Sequence, residues 1–166
     1  MNECRKNAAA AVVNGKIYCC GGYNGKKHLN SVEYYDPPSD LWTRICDMPG
    51  ACSALCAAVM DRTLIVIGGL NDNEGLNSVW TLDTVDESAE WIESSFMSDS
   101  RSYFSSAKID GQIFVCGGAS GPWVISDVKI FDGEDWRNGP KLAAPLKCSA
   151  AIVIPIDFAT SLKMIC

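Results

Sequence analysis

Three apolar runs that each end in a pair of adjacent glycines constrain this chain more than any other feature. They are Ile17-Tyr18-Cys19-Cys20-Gly21-Gly22, Leu64-Ile65-Val66-Ile67-Gly68-Gly69 and Ile113-Phe114-Val115-Cys116-Gly117-Gly118. The pairs stand 47 positions apart (21 to 68) and then 49 (68 to 117). Self-similarity at such a spacing marks a chain built by repeating one supersecondary unit, in which each unit covers the flank of the next.

Within each repeat, a run of small or alternating residues comes first: 8–13, 54–60 and 105–109. Asn14-Gly15, Asp61-Arg62 and Asp110-Gly111 then separate it from the glycine-ended run. Asn-Gly and Asp-Gly supply the positive φ that a two-residue hairpin needs, so the two runs are expected to pair antiparallel. The second run is apolar on both faces and therefore needs cover on both. Eight residues follow each pair (23–30, 70–77, 119–126) before a third strand at 31–36, 78–83 or 127–132. A turn of drifting length leads to a short fourth strand opened by Trp42, Trp91 or Trp136, lying 7, 9 and 5 residues beyond Tyr35, Leu82 and Phe131.

Four short strands closed by a tryptophan edge is the pattern of a propeller blade. The glycines at 21, 22, 68, 69, 117 and 118 let another backbone approach closely, and the tryptophans are expected to bury area between blades. Doublet, large residue and tryptophan in this order resemble the kelch repeat. The stretch from Leu29 through Tyr35, Asp36 and Pro37 to Trp42 is especially similar to the kelch-like (BTB–kelch) adaptors. Leu82 and Phe131 depart from the pattern, standing where the family has tyrosine.

The resemblance implies an all-β fold of tandem four-stranded antiparallel blades at 1–47, 48–96 and 97–143. The remainder, 144–166, holds one orphan first strand (147–154) of a truncated fourth repeat and an irregular tail from Pro155. Three blades and an orphan strand do not close a ring of four to eight blades. The expectation is an incomplete, open propeller: a piece of a longer protein, or a chain that self-associates through its open blade edges.

Composition narrows the function. A net charge of −6 argues against general affinity for nucleic acid or an anionic membrane. The apolar runs are far shorter than a membrane span, and Asn14-Gly15 interrupts the only stretch that imitates a leader. The nine cysteines form no even-spaced framework and several fall inside apolar strands, which fits reduced thiols and a cytoplasmic location. With His28 as the only histidine, beside Lys26 and Lys27, solvated surface is its expected role, and no Ser-His-Asp or Cys-His site is expected. Cys52 and Cys56 lack a second ligand pair for zinc. Asp83, Asp86, Glu87 and Glu90 read as a solvated turn. No cofactor, no metal and no catalytic residues are expected.

Binding is expected in the connections after the glycine pairs, since loops on a rigid scaffold are where recognition resides. Trp123 has two readings, an anchor for a partner or a side chain folded onto its own blade beside Pro122. The resemblance implies that residues just after the doublet, with the arginine that opens a repeat, line a partner face. These are Tyr23, Asn24, Arg5, Leu70, Asn71, Ala119, Ser120 and Arg101, with Cys52 in the arginine position of the second repeat. Both arginines could equally be structural, bonding loop carbonyls. The resemblance implies a protein-recognition module, the substrate-recruiting part of a cullin-based ubiquitin ligase adaptor. Actin binding and sugar modification are its alternatives.

Overall fold

The computed structural model describes residues 1–86 and 88–154; Glu87 of the acidic turn and the tail 155–166 lie outside them. β1 (Ala9–Val13), β2 (Lys16–Cys20), β3 (Val32–Asp36) and β4 (Leu41–Arg44) pair antiparallel in sequence order as the first blade. The second is β5 (Cys56–Met60), β6 (Thr63–Leu70), β7 (Gly75–Asp83) and β8 (Ile92–Glu93). After β9 (Ser105–Ile109) and β10 (Gln112–Cys116), a small hairpin of β11 (Ala119–Ser120) and β12 (Trp123–Val124) intervenes. Then β13 (Val128–Phe131) and β14 (Trp136–Asn138) complete the third blade. The first strands lie side by side, β1 against β5 and β5 against β9. The sheets thus radiate from a small-residue inner edge as an open β-propeller.

Two-residue turns join the first and second strands of every blade. Asn14, Gly15, Asp110 and Gly111 all take positive φ, whereas in the second blade only Asp61 does. Arg62, with a side chain to place, stays out of the left-handed region.

The glycine pairs work as the seam between blades. A Cβ on Gly21, Gly68 or Gly117 would stand 2.6, 2.6 or 2.5 Å from the carbonyl oxygen of Cys52, Arg101 or Leu146, in the segment that opens the next repeat. The second glycine of each pair donates its N–H to that same carbonyl, at 2.8, 2.8 and 2.7 Å. A second ladder runs round the inner edge. Asn7, Ala54, Tyr103 and Cys148 all have φ between 54 and 57°. The amides of the last three donate to Asn7 O, Ala54 O and Tyr103 O in turn, at 2.8, 2.9 and 2.8 Å.

Two apolar layers fill the spaces between blades. Val13, Tyr18, Cys20 and Val32 of the first blade meet Leu64, Val66, Trp80 and Leu82 of the second. Ile65, Ile67 and Val79 meet Ile113, Val115 and Phe131. Met48 and Met97 cap these layers, each 2% exposed. Trp91 and Trp136 lie in them and donate their indole N–H to Cys46 O (3.3 Å) and Ser95 O (3.1 Å) of the preceding blade. Trp42 differs: half-buried against Tyr35, it finds neither a preceding blade nor a partner for its N–H among the described residues.

Several sequence expectations need revising. The connections after the doublets are not uniform loops: in the second blade strand pairing continues through Leu70 and resumes at Gly75, leaving only 71–74 as the tip. Trp42 is the second residue of β4, and Trp91 precedes β8; of the three tryptophans only Trp136 opens its strand. No strand forms over 147–154, because a first strand pairs with its own blade's second and the described residues offer none. The segment nonetheless keeps phase, since Leu142 N–H donates to Ser126 O just as Met48 and Met97 donate to Asn30 O and Asn77 O.

Cys4, Cys19, Cys20, Cys46, Cys52, Cys56 and Cys148 are free thiols. Burial pushes Cys52 up to about 12 and Cys56 up to about 11, with Ser106 moderating the latter. Since the thiolate is the nucleophile, iodoacetamide at neutral pH should label exposed Cys4 and Cys148 quickly. It should leave Cys20, Cys52 and Cys56 unlabelled until denaturant is added. Peptide mass mapping that finds Cys52 modified in native buffer would contradict this packing.

Candidate protein-interaction face

Each connection after a doublet is tied down by the segment that opens its own repeat. Lys6 and Tyr23, Ser53 and Leu70, and Ser102 and Ala119 exchange both backbone hydrogen bonds, at 2.8 to 3.0 Å. These bridges place Tyr23, Leu70 and Ala119 at the base of three projections on one face of the propeller. Beyond the base the chemistry diverges from blade to blade.

In the first projection the Asn24 carboxamide oxygen accepts the amides of Lys26 and Lys27, both at 3.0 Å, and its nitrogen donates to Glu3 Oε1. In the second, Asn71 holds Asn73 and Glu74 in the same way, both at 2.9 Å. These side chains shape their turns, the local bonding that favours Asn there. Lys6 lies over the Tyr23 ring. The third projection is the β11–β12 hairpin, with Ser120 opposite Trp123 and Ala119 opposite Val124.

Trp123 is 73% exposed, so it does not fold onto its own blade. Pro122 beside it is exposed as well. The hairpin explains this outcome. A residue next to a two-residue tip has little of the sheet beneath it to pack against.

His28 corrects the sequence expectation. Its side chain is only 11% exposed, set edge-on to Tyr23, with Nε2 3.3 Å from Asp72 Oδ1 of the second projection. The adjacent lysines suggested solvent, but pairing of Tyr23 with His28 turns the imidazole inward.

Arg5 and Arg101 also point inward. Arg5 donates to Gly21 O (2.7 Å) and Ser31 O (3.0 Å) and pairs with Glu33 at 2.7 Å. Arg101, 1% exposed, donates to Gly117 O (3.0 Å) and Asp127 O (2.8 Å), the matching carbonyls of the third blade. Each guanidinium thus clamps the two ends of a projection from below, the structural alternative of the two readings. Burial alone would raise the Glu33 carboxyl, but the Asn2 amide, Arg5 and the Glu3 amide outweigh it and hold the group below its ordinary value. In the second repeat Cys52 replaces the arginine, and the buried Ser78 hydroxyl, counterpart of Ser31, is left without a hydrogen-bond partner among the described residues. At the other face, Asp83 pairs with Arg62 at 2.9 Å and Asp86 bonds Ser88. No three metal-ligating side chains cluster among the described residues.

The Kelch motif, in two forms, matches residues 4–49 and 51–93, and 100–137. The chain belongs to the kelch-repeat family. Similar relatives include the mouse Kelch-like protein 35, 28% identical over 92% of this chain and 26% of the relative's length. Another is the cowpox virus Kelch repeat and BTB domain-containing protein 2, 34% identical over 51% of this chain and 15% of its own. The chain thus spans about a quarter or less of these relatives. Among solved structures, that of YjhT superposes with a TM-score of 0.74 at 14% identity, over 85% of this chain and 53% of YjhT; this likeness concerns the fold. The kelch repeats and kelch-like relatives mark the chain as a protein-interaction module built on a partial kelch propeller.

Proposed function

We propose that this kelch segment recognises a protein partner through the three projections, in the cytoplasm and without catalysis, as the substrate-recruiting part of a cullin-RING ubiquitin ligase adaptor. The observation that carries the binding face is Trp123, a large aromatic held out on a hairpin and stacked on no other ring among the described residues. Aromatic anchors of this kind dominate the energetics of interfaces. Tyr23, Asn24, Leu70, Asn71, Ala119 and Ser120 are part-exposed on the three projections and form the rest of the contact surface. Arg5 and Arg101 support that surface from beneath. The adaptor role draws on the relatives, one of which carries a BTB domain in its name.

Trp123→Ala tests the face. It is expected to leave stability within about 0.5 kcal/mol, as an exposed substitution does, and to weaken a captured partner roughly thirtyfold, the scale of a hot-spot residue of about 2 kcal/mol. Equal affinity of variant and parent, by calorimetry with the purified partner, would remove Trp123 from the interface. The ligase role has a separate readout. The half-life of a Trp123-dependent partner should lengthen when the protein is depleted, and an unchanged half-life would refute that role while leaving binding intact.

A further inference from the structure

The face opposite the projections holds a cleft of about 630 Å³ between the first and second blades. Thr84, Val85, Asp86 and Ala89, which follow β7, form part of its lining. Buried Tyr18 and half-buried Tyr34 line it from the first blade, their rings 5.5 Å apart, together with Ile45; Leu82 lines it from the second. Lys16 is half-buried at one end, its ammonium 4.2 Å from the Tyr34 ring centroid.

The charges around the cleft are unequally engaged. Arg44 pairs with Asp47 at 2.9 Å, Asp83 with Arg62 at 2.9 Å, and Asp86 takes the Ser88 amide and hydroxyl. Lys16 has no ion pair and no side-chain hydrogen bond among the described residues. An ammonium carries three donors and is strongly hydrated, so a half-buried one resting only on an aromatic face has all three available. The cleft size falls within the ~300–1,000 Å³ range of small-molecule sites, which combine apolar walls with a few placed polar groups.

We propose that this cleft binds a small aromatic carboxylate, the carboxylate taken by Lys16 and the flat ring lying along the half-buried Tyr34 and Ile45. Asp83 and Asp86 on the second-blade side confine the anion to the Lys16 end by repulsion. The site is separate from the projections and does not depend on the partner-binding reading.

Titration of the whole chain with 2-naphthoate, followed by calorimetry and by the ring resonances of Tyr18 and Tyr34, tests the assignment. Saturable binding is expected, weakened about tenfold by Lys16→Met, kept within about threefold by Lys16→Arg, and unaffected by Trp123→Ala. The neutral isostere 2-naphthamide should bind about tenfold more weakly than the acid. Absence of saturation at millimolar naphthoate would overturn the proposal. So would equal affinity of Lys16→Met and parent, both folded by circular dichroism, or equal affinity of acid and amide.

Discussion

Gly68→Ala is expected to cost on the order of 4 kcal/mol and to leave much of the protein unfolded at 37 °C. Two effects add. Gly68 sits at φ +55°, where a side chain is strained, and its Cβ would meet Arg101 O at 2.6 Å, Met97 Cε at 3.0 Å and Phe104 Cε1 at 3.2 Å. The first of these is backbone, and Gly69 N–H bonds that same carbonyl at 2.8 Å. The clash can be relieved only by parting the second and third blades. Gly111→Ala is the control: its φ is +78° but nothing lies within 4 Å, so strain alone, about 1 kcal/mol, is expected. Against a typical stability of ~5–15 kcal/mol the first loss is large. Urea denaturation giving similar losses for both variants would refute the seam role of the doublets.

Arg101→Ala is expected to be the second most damaging change. It strips the Gly117 and Asp127 carbonyls of a charged donor inside a site that is 1% exposed. Hydrogen bonds to charged groups contribute about 1.5–3 kcal/mol, and a buried acceptor left bare costs more than the bond was worth. A loss of about 3 kcal/mol corresponds to a fall in Tm of roughly 10 °C for a chain of this size. Both bonds come from one atom, Nη1, so the ammonium of Arg101→Lys, which has three donors, can serve the same two carbonyls and is expected to recover part of the loss. Burial lowers the Arg101 pKa, the cost the fold accepts to place a cation there. A variant with unchanged Tm and lost partner capture would return Arg101 to the binding surface.

The two arginines show where sequence reasoning stops. Their phase with the doublets located them at the mouth of each repeat, but a residue at a mouth can face either way. Direction was set by carbonyls of Gly21 and Ser31, or Gly117 and Asp127, brought together only when the second and third strands pair. Trp123 carried the same ambiguity, since beside Pro122 it could pack inward or project. Formation of the β11–β12 hairpin resolved it. His28 was misread because its neighbours in sequence are lysines, whereas its neighbours in space are Tyr23 and Asp72. The strand expected over 147–154 had suitable residues, but no pairing partner among those described.

What the sequence determined by itself was the repeat. Glycine where a carbonyl must come within 2.6 Å of a Cβ position, Asn-Gly or Asp-Gly where a hairpin must turn, and tryptophan at the outer edge are local demands, legible one position at a time. The tertiary structure decided which faces met. Trp91 and Trp136 reach the preceding blade while Trp42 meets none among the described residues, and the Lys16–Tyr34 cleft exists only where two blades meet. Those outcomes depend on contacts between residues tens of positions apart, which no local pattern encodes.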